Sequence, residues 1–387
     1  VETPIYMDNM ATTPVDPRVL EAMLPHFGPH FGNPSSKTHV FGLAAADAVE
    51  RARAAVARSI GARPREIVFT AGATEANNLA LKGVVETAGP GAHVITSAIE
   101  HKAVLDCCRT LEARGAEVTY LPVDTEGQID VDQLAAAISE RTVMVSLMAA
   151  NNEIGVLQPL AEIGRLTKAR GVLWHCDAAQ AVAKIELDVE ALGIDLLSVS
   201  GHKLYAPKGV GFLYVRSRGP RVRLTAQVEG GGQERGLRAG TLNVAGIVAL
   251  GRACELGCEE LPVEAARLLQ MRQRLYEGLT ARLGPLVVNG HRESRLPGNL
   301  NLSFAGIDGA ELLAGLREIA LSSGAACSSQ EQVPSHVLRA IGLSDDLARA
   351  SLRFGLGRFN TMDEVEYAIK RVAIQVERLR AGEMVAA

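Results

Sequence analysis

From residue 66 onward, short apolar runs rich in β-branched residues recur at intervals, separated by longer segments with apolar residues at helical spacing. The runs are EIVFT (66–70), HVITS (93–97), EVTYLP (117–122), TVMVSLMA (142–149), VLWHC (172–176), DLLSVS (195–200) and VGFLYV (210–215). Between them, segments such as VDQLAAAISE and LAEIGRLTKARG repeat apolar positions at the helical interval and end near Gly or Arg. Strand and helix alternating over about 150 residues predict an α/β structure, a largely parallel sheet covered by helices on both faces. Ligands of such sheets sit beyond the carboxyl ends of the strands, so those ends are where chemistry is sought.

After the turn-rich stretch EGGGQERGLRAGT (229–241) the pattern changes. Long helices are predicted from about 243 to 283, then a strand at NLNLSF, a serine-rich loop, a strand at ASLRFGL and a closing helix, TMDEVEYAIKRVAIQVERLRA. The expected organisation is a large domain over 15–255 and a smaller α+β domain built from 1–14 and 256–387, which carries the serine-rich loop. There is no internal repeat and no low-complexity tract.

Composition narrows the class. A chain of 387 residues, 47% hydrophobic and 22% charged, matches a globular protein and excludes disordered and fibrous classes. A net charge of -4 without a basic run argues against nucleic acid as a direct ligand. Six cysteines are scattered with no disulfide-framework spacing and no CxxC pair, which points to a reducing, cytoplasmic compartment. Cys254 and Cys258 lie four apart in an apolar helical stretch and are expected to pack together in the core, with no metal site. No charged-then-apolar leader opens the chain and no apolar run reaches the ~18 residues of a membrane span, so neither secretion nor membrane insertion is expected.

Four features fall at or just past predicted strand ends. TAGATEANN leads through Thr74 into a helix whose start can hold an anion such as a phosphate, although most such turns bind nothing. His101 follows HVITSAIE and can stack on a planar ligand or move a proton; a buried, satisfied histidine is the plainer alternative. Asp177 follows VLWHC, with Gln180 three residues on; a carboxylate there needs a cation or hydrogen-bond donors, or else is a helix cap. Gly201, His202 and Lys203 follow DLLSVS, and a desolvated lysine at that place becomes a nucleophilic amine where a surface lysine would be inert. As a set, an amine, a carboxylate, a planar side chain and a phosphate cradle meet the needs of pyridoxal phosphate (PLP). A last feature is the octapeptide SSGAACSS (322–329), small and polar around Cys327: either a turn with cysteine in place of alanine, or a reactive thiol.

In order along nearly the full length stand YMDNMATTPVDP, FGNPSS, IVFTAGATEANNLA, EHKAV, ANNEIGVLQP, HCDAAQA, SGHKLYAPKGVG, GGGQERGLRAGT, SSGAACSS and LRFGLGRF. With these motifs the chain closely resembles the cysteine desulfurases of the NifS/IscS type, fold-type I PLP enzymes of the class V aminotransferase superfamily. The resemblance implies a fold-type I PLP-dependent transferase, a large domain with a mainly parallel seven-stranded sheet beside a smaller α+β domain. It implies that Lys203 holds the cofactor covalently, Asp177 pairs with the pyridinium nitrogen, Gln180 hydrogen-bonds the phenolic oxygen and His101 stacks on the ring. Ala73, Thr74, Ser200 and His202 would bind the phosphate, completed by Thr241 of a second copy in a homodimer. Asn152 and Arg353 would hold the substrate carboxylate, the guanidinium offering its two-pronged geometry.

The implied activity is the removal of sulfur from L-cysteine, leaving alanine and a persulfide on Cys327, with Lys203 moving the proton at Cα and His101 able to accept one from a thiol. Only the thiolate of Cys327 is a competent nucleophile. The sulfur would pass to an acceptor protein for iron–sulfur cluster assembly or for thiolation of tRNA or cofactors, with transient iron–sulfur ligation through Cys327 as a further role. Two features depart from the pattern: Val333 stands before Pro334 and Ser335 where the family commonly has Glu, and the sequence ends at AGEMVAA without the longer tail that meets a scaffold protein. Both bear on partner docking. The extended loop from Ser322 to about Pro334 favours the persulfide-forming branch over a selenocysteine lyase or other amino-acid lyase, and Lys203, Cys327 and Arg353 together weigh against a non-catalytic scaffold.

Overall fold

A computed structural model describes residues 1–323 and 333–382; Cys327 and the rest of the octapeptide beyond Ser323 lie outside the described residues. After the two-residue strand β1 (Ile5–Tyr6), the seven apolar runs become β2 (Ile67–Thr70), β3 (His93–Ser97), β4 (Glu117–Leu121), β5 (Thr142–Ser146), β6 (Leu173–Asp177), β7 (Leu196–Ser200) and β8 (Gly211–Val215). They form one seven-stranded sheet in the order β2-β8-β7-β6-β5-β3-β4. Neighbours from β4 to β7 run parallel, while β8 is antiparallel to both β7 and β2, because the short β7–β8 connection can only turn the chain back. β2, β3, β7 and β8 are buried at every residue, which is why they read as continuous apolar runs. β4 closes the edge and is the most exposed strand of this sheet.

Helices α1 (Pro17–Met23), α2 (Val40–Arg58), α3 (Ala73–Ala88), α4 (Lys102–Ala113), α5 (Val131–Ala137), α6 (Leu160–Arg170), α7 (Val189–Leu192) and α8 (Val244–Leu283) cover this sheet. Leu79, Leu81 and Val84 of α3 and Val104 and Leu111 of α4 bury one face against Val68, Val94, Met144 and Leu213. The other face packs Phe69, Ile95, Val145, Trp174 and Phe212 against α2, α6 and the first part of α8. Where long helices were predicted in the plural, α8 runs unbroken for 40 residues with Pro262 inside it. Its residues up to Leu256 join the core of the large sheet, and those from Leu268 onward join a second core.

That second core holds a four-stranded sheet, β12-β13-β10-β9, made of β9 (Val287–Val288), β10 (Asn299–Ser303), β12 (Ser322–Ser323) and β13 (Ser351–Gly355). β11 (Ile319–Ala320) pairs parallel with β1, which brings the first residues of the chain into this half. Four more helices complete it, α9 (Gly309–Ala314), α10 (His336–Ala340), α11 (Asp345–Arg349) and α12 (Met362–Arg380). α12 begins at a capping box in which Thr361 and Glu364 satisfy each other's backbone N–H groups. Phe304, Phe354, Leu275 and Val372 lie at its centre. No helix among the described residues is long and apolar enough to cross a membrane.

The expectation that Cys254 and Cys258 both pack in a core is corrected: Cys254 is buried but Cys258 is exposed. One face of a long helix can run from the core to its rim within a single turn, and apolar neighbours in sequence do not show where the rim falls.

The loop of residues 229–241 is tied down by a buried ion pair. Arg53 Nη2 of α2 meets Glu234 Oε1 at 2.7 Å with the two side chains 5% and 1% exposed, and Glu234 Oε2 accepts the Phe69 N–H at 2.7 Å. Glu234 and Arg235 adopt left-handed φ values of 47° and 58°, a conformation that non-glycine residues hold only when their surroundings enforce it. Replacing Arg53 by Met would strand the Glu234 carboxylate. Urea unfolding of Arg53→Met should show a loss of about 3–5 kcal/mol, and a change under about 1 kcal/mol would mean the pair is effectively solvated.

Candidate functional site

A cavity of about 1260 Å³ opens at the carboxyl ends of the parallel strands, closed from the other side by β10, β12 and β13. Ala73, Thr74, His101, Asn152, Asp177, Gln180, Ser200, His202, Lys203 and Arg353 all line it. The topology explains the convergence: each residue before Arg353 ends or directly follows β2, β3, β5, β6 or β7, and Arg353 lies on β13. β4, next in sequence to β3, pairs on its outer side, so the crevice opens where the strand order reverses between β3 and β5.

Lys203 closes a single 3-10 turn, Gly201–Lys203, just past β7. Its Nζ donates to the carbonyls of Met10 at 2.8 Å and Ala11 at 2.5 Å. Burial, aided by the Arg353 charge and opposed by Asp8 and Asp177, pulls its pKa down to about 8. A sizeable fraction of this amine is therefore neutral near physiological pH. Asp177, the last residue of β6, is 5% exposed. Its Oδ2 accepts from Asn77 Nδ2 at 2.7 Å and its Oδ1 from the Ala179 N–H at 3.0 Å. These donors are neutral, and a buried carboxylate so held favours a cationic N–H arriving from the cavity.

The start of α3 is built as an anion cradle. Gly72, the residue before it, offers no side chain to cap the helix, so the first backbone N–H groups stay available. Its φ of 153° is a conformation for glycine, and a Cβ there would come within 3.2 Å of Ser200 Oγ. Thr74, Ser200 and His202 line the same end. His202 Nδ1 lies 3.1 Å from Thr12 Oγ1, and desolvation with the charges of Lys203, Lys208 and Lys184 lowers its pKa to about 4, so it meets an anion as a neutral hydrogen-bonding group.

His101 caps α4, its Nδ1 accepting the Ala103 N–H at 3.1 Å. That contact leaves the proton on Nε2, and desolvation in the cleft lowers the pKa, which favours the neutral ring. Asn151 is buried and fixes the adjoining turn by accepting the Glu153 and Ile154 N–H groups and donating to Ile99 O at 2.9 Å. Asn152 follows, and its carbonyl accepts from Arg353 Nη1 at 3.0 Å. Arg353 Nη2 also meets Asp8 Oδ1 at 2.7 Å and Ser322 Oγ at 2.8 Å, while its buried Nε has no partner among the described residues. The guanidinium is thus held in place with hydrogen-bonding capacity to spare.

Thr241 is exposed and does not line the cavity of its own chain. Val333 lines it and is 44% exposed, followed by Ser335, which donates to Glu153 and caps α10, and His336, whose Nε2 contacts Glu100 O at 3.0 Å. Sequence reasoning passed over Asp8, Asn77 and Glu100. Asp8 stands in the motif YMDNMATTP, and Asn77 lies four residues into α3 on its sheet-facing side, a spacing that would have flagged it. Glu100 is fully buried, with Oε1 accepting from Ser97 Oγ at 3.0 Å and the Met148 N–H at 2.8 Å. Desolvation, with the nearby Asp177 charge, raises its pKa to about 8.

The sequence signature of the family described as Aminotransferase class-V matches residues 5–368. A protein of Anaeromyxobacter sp. (strain Fw109-5) named Cysteine desulfurase IscS is 55% identical over 98% of this chain and 94% of its own length. The Homo sapiens protein named Cysteine desulfurase is 53% identical over 97% of this chain and 82% of its own. Among solved structures, a NifS-like protein superimposes with a TM-score of 0.90 at 40% identity, covering 97% of this chain and 100% of its own. One described as SspA in complex with cysteine gives a TM-score of 0.82 at 39% identity, over 92% of this chain and 100% of its own.

The depressed pKa of Lys203 has a direct chemical readout. Amine-specific acylation of the cofactor-free chain, followed residue by residue by mass spectrometry, should modify Lys203 with a pH midpoint near 8, because only the neutral amine reacts. A midpoint at Lys203 near the ordinary lysine value of about 10.4 would show that the amine is solvated.

Proposed function

We propose, from the premise that this chain belongs to the class-V aminotransferase family and to its NifS/IscS-type cysteine desulfurases, that it uses PLP to take sulfur from L-cysteine, releasing alanine and leaving a persulfide on Cys327. The observation that carries the reading is the joint presence, in one cavity, of an amine depressed to about 8 and a buried carboxylate held only by neutral donors. Those two groups fit the aldehyde and the ring nitrogen of PLP, and the uncapped start of α3 beside Ser200 fits its phosphate. When bound, PLP supplies an electron sink for the pair left at the substrate's Cα.

The remaining work falls to the chain. Lys203 would anchor the cofactor and, as a free amine, would take and return the proton at Cα. Asp177, oriented by Asn77 and the Ala179 N–H, keeps the ring nitrogen protonated. Gln180 meets the phenolic oxygen, Ala73, Thr74, Ser200 and His202 hold the phosphate, and neutral His101 stacks and can take a thiol proton. Arg353 and Asn152 receive the carboxylate. The thiolate of Cys327 then attacks Sγ of the substrate, the Cβ–Sγ bond breaks, its electrons return to the carbon skeleton that leaves as alanine, and the sulfur stays on Cys327. A balanced transfer of this kind needs no outside oxidant.

The working unit in this reading is a homodimer in the cytoplasm. Phe27, Phe31, Val40 and Phe41 are 51–71% exposed within one short stretch, an apolar surface that a second copy would cover. Thr241, exposed and not among the residues lining its own cavity, would then complete the phosphate site of the partner. The persulfide would be delivered to an acceptor protein for iron–sulfur cluster assembly or for thiolation of tRNA or cofactors.

Incubation with L-cysteine should yield alanine and add one sulfur to the peptide containing Cys327, by mass spectrometry without reductant. In Cys327→Ser both products should be lost, and alanine formed at an undiminished rate would favour a lyase instead. Arg353→Lys keeps the charge but loses the fork, so the KM for L-cysteine should rise roughly ten- to hundredfold, the value of a charged hydrogen bond. An unchanged KM would place the carboxylate elsewhere.

A further inference from the structure

Gln180 lies on the cavity wall with both ends of its amide engaged. Nε2 donates to Met10 O at 2.8 Å, and Oε1 accepts from Lys184 Nζ at 2.7 Å. The two ends of an amide are alike in shape, so only the partners decide which way it faces. A backbone carbonyl can only accept, and the Lys184 amine donates to Oε1. This pair of partners sets the orientation, since turning the amide over would set carbonyl against carbonyl at Met10 and NH2 against the N–H groups that Lys184 presents. Held this way, Nε2 keeps one N–H to offer to an acceptor.

Lys184 is an uncomfortable place for a lysine. Ala183 before it takes a left-handed φ of 60°, a strained conformation for a residue with a Cβ, and the turn is packed so closely against α8 that a Cβ on Gly257 would come within 2.3 Å of Ala183 Cβ. Lys184 retains some accessible surface, yet its surroundings desolvate the ammonium and bring its pKa to about 7. Lys203 and Arg353 face it with like charge, and among the described residues Glu264 of α8 opposes them. Lys184 and Glu264 also line a separate void of about 20 Å³, room for one water. Strain, desolvation and like charge all work against a lysine here, and an apolar side chain would remove the last two.

We infer that Lys184 is a positioning residue for the reaction: by donating to Gln180 Oε1 it locks the amide so that Nε2 faces the cavity as a donor to the phenolic oxygen of bound PLP. The inference rests on the cofactor reading above and adds to it a residue that touches neither cofactor nor substrate.

The test is a double-mutant cycle on Lys184→Met and Gln180→Ala, read by titrating the cofactor-free full-length chain with PLP and by the pH midpoint of the bound cofactor's visible band. Lys184→Met should raise the PLP dissociation constant about tenfold, the loss of one oriented hydrogen bond, and shift the midpoint by about one unit. In the Gln180→Ala background the same change should add less than about twofold, because its effect runs through an amide no longer there. Lys184→Ala is read in the same cycle should the Met variant fold poorly. Wild-type affinity and midpoint in Lys184→Met, or an effect that multiplies in full on Gln180→Ala, would overturn the inference. A wild-type chain that takes up no PLP would instead overturn the cofactor reading, and the first titration shows which has failed.

Discussion

Two backbone carbonyls, those of Met10 and Ala11, govern the arrangement of the site. Both accept from Lys203 Nζ, and the carbonyl of Met10 also accepts from Gln180. The segment that carries them is fixed at both ends. Toward its start, Asn9 N and Gly355 N exchange bonds with Gly355 O and Met7 O of the small sheet, and Asp8 pairs with Arg353. Toward its end, Thr13 N bonds His202 O and Asp16 N bonds Tyr205 O, on either side of Lys203. A short turn thus sets the distance between the amine on the large sheet and the guanidinium on the small one. Loosening them would move both reactive cations at once.

The same strip explains why strain collects around Lys203. Tyr205 sits at a left-handed φ of 67°, and the surroundings that hold it there are polar as well as apolar. Thr13 Oγ1 accepts its N–H, its ring lies under the Arg358 guanidinium at 4.4 Å, and its hydroxyl accepts the Arg358 N–H at 2.6 Å. Arg358 in turn pairs with Asp16 at 2.8 Å and Glu264 at 2.9 Å, all with little exposure. Such a network is costly to desolvate but has few alternative arrangements, which suits a turn that must present one amine in one direction.

How far this was legible in the sequence follows from which features are local. The seven strands were readable because both faces of the sheet are covered, and the strand-end residues because a parallel sheet delivers them to one edge. α12 announced itself through the capping sequence TMDE. The continuity of α8 was not readable, since Pro262 looks like a boundary and only packing against two cores holds the helix through it. Cys258 was misjudged because periodicity gives a face but not its edge. Asn77, Glu100 and Lys184 were missed for a related reason: each owes its role to a partner reached by folding, Asp177 a hundred residues from Asn77, Met148 and its neighbours around Glu100, and an amide whose orientation no sequence states. Thr241 was singled out from the family pattern alone, and in this chain it is exposed.

Glu100 shows how the site keeps its charges in order. It stands immediately before His101, buried completely and close enough to Asp177 to feel its charge. Were both ionised, two carboxylates would share a region with little water. Burial resolves this in favour of one charge. With its pKa at about 8, Glu100 is mostly protonated at neutral pH, while its Oε1 still accepts from Ser97 and the Met148 N–H and so braces the strand ends of β3 and β5. Asp177 has a donor turned toward each of its oxygens, whereas among the described residues the second oxygen of Glu100 has none. Two buried carboxyls of the same chemistry thus differ through that inequality of donors.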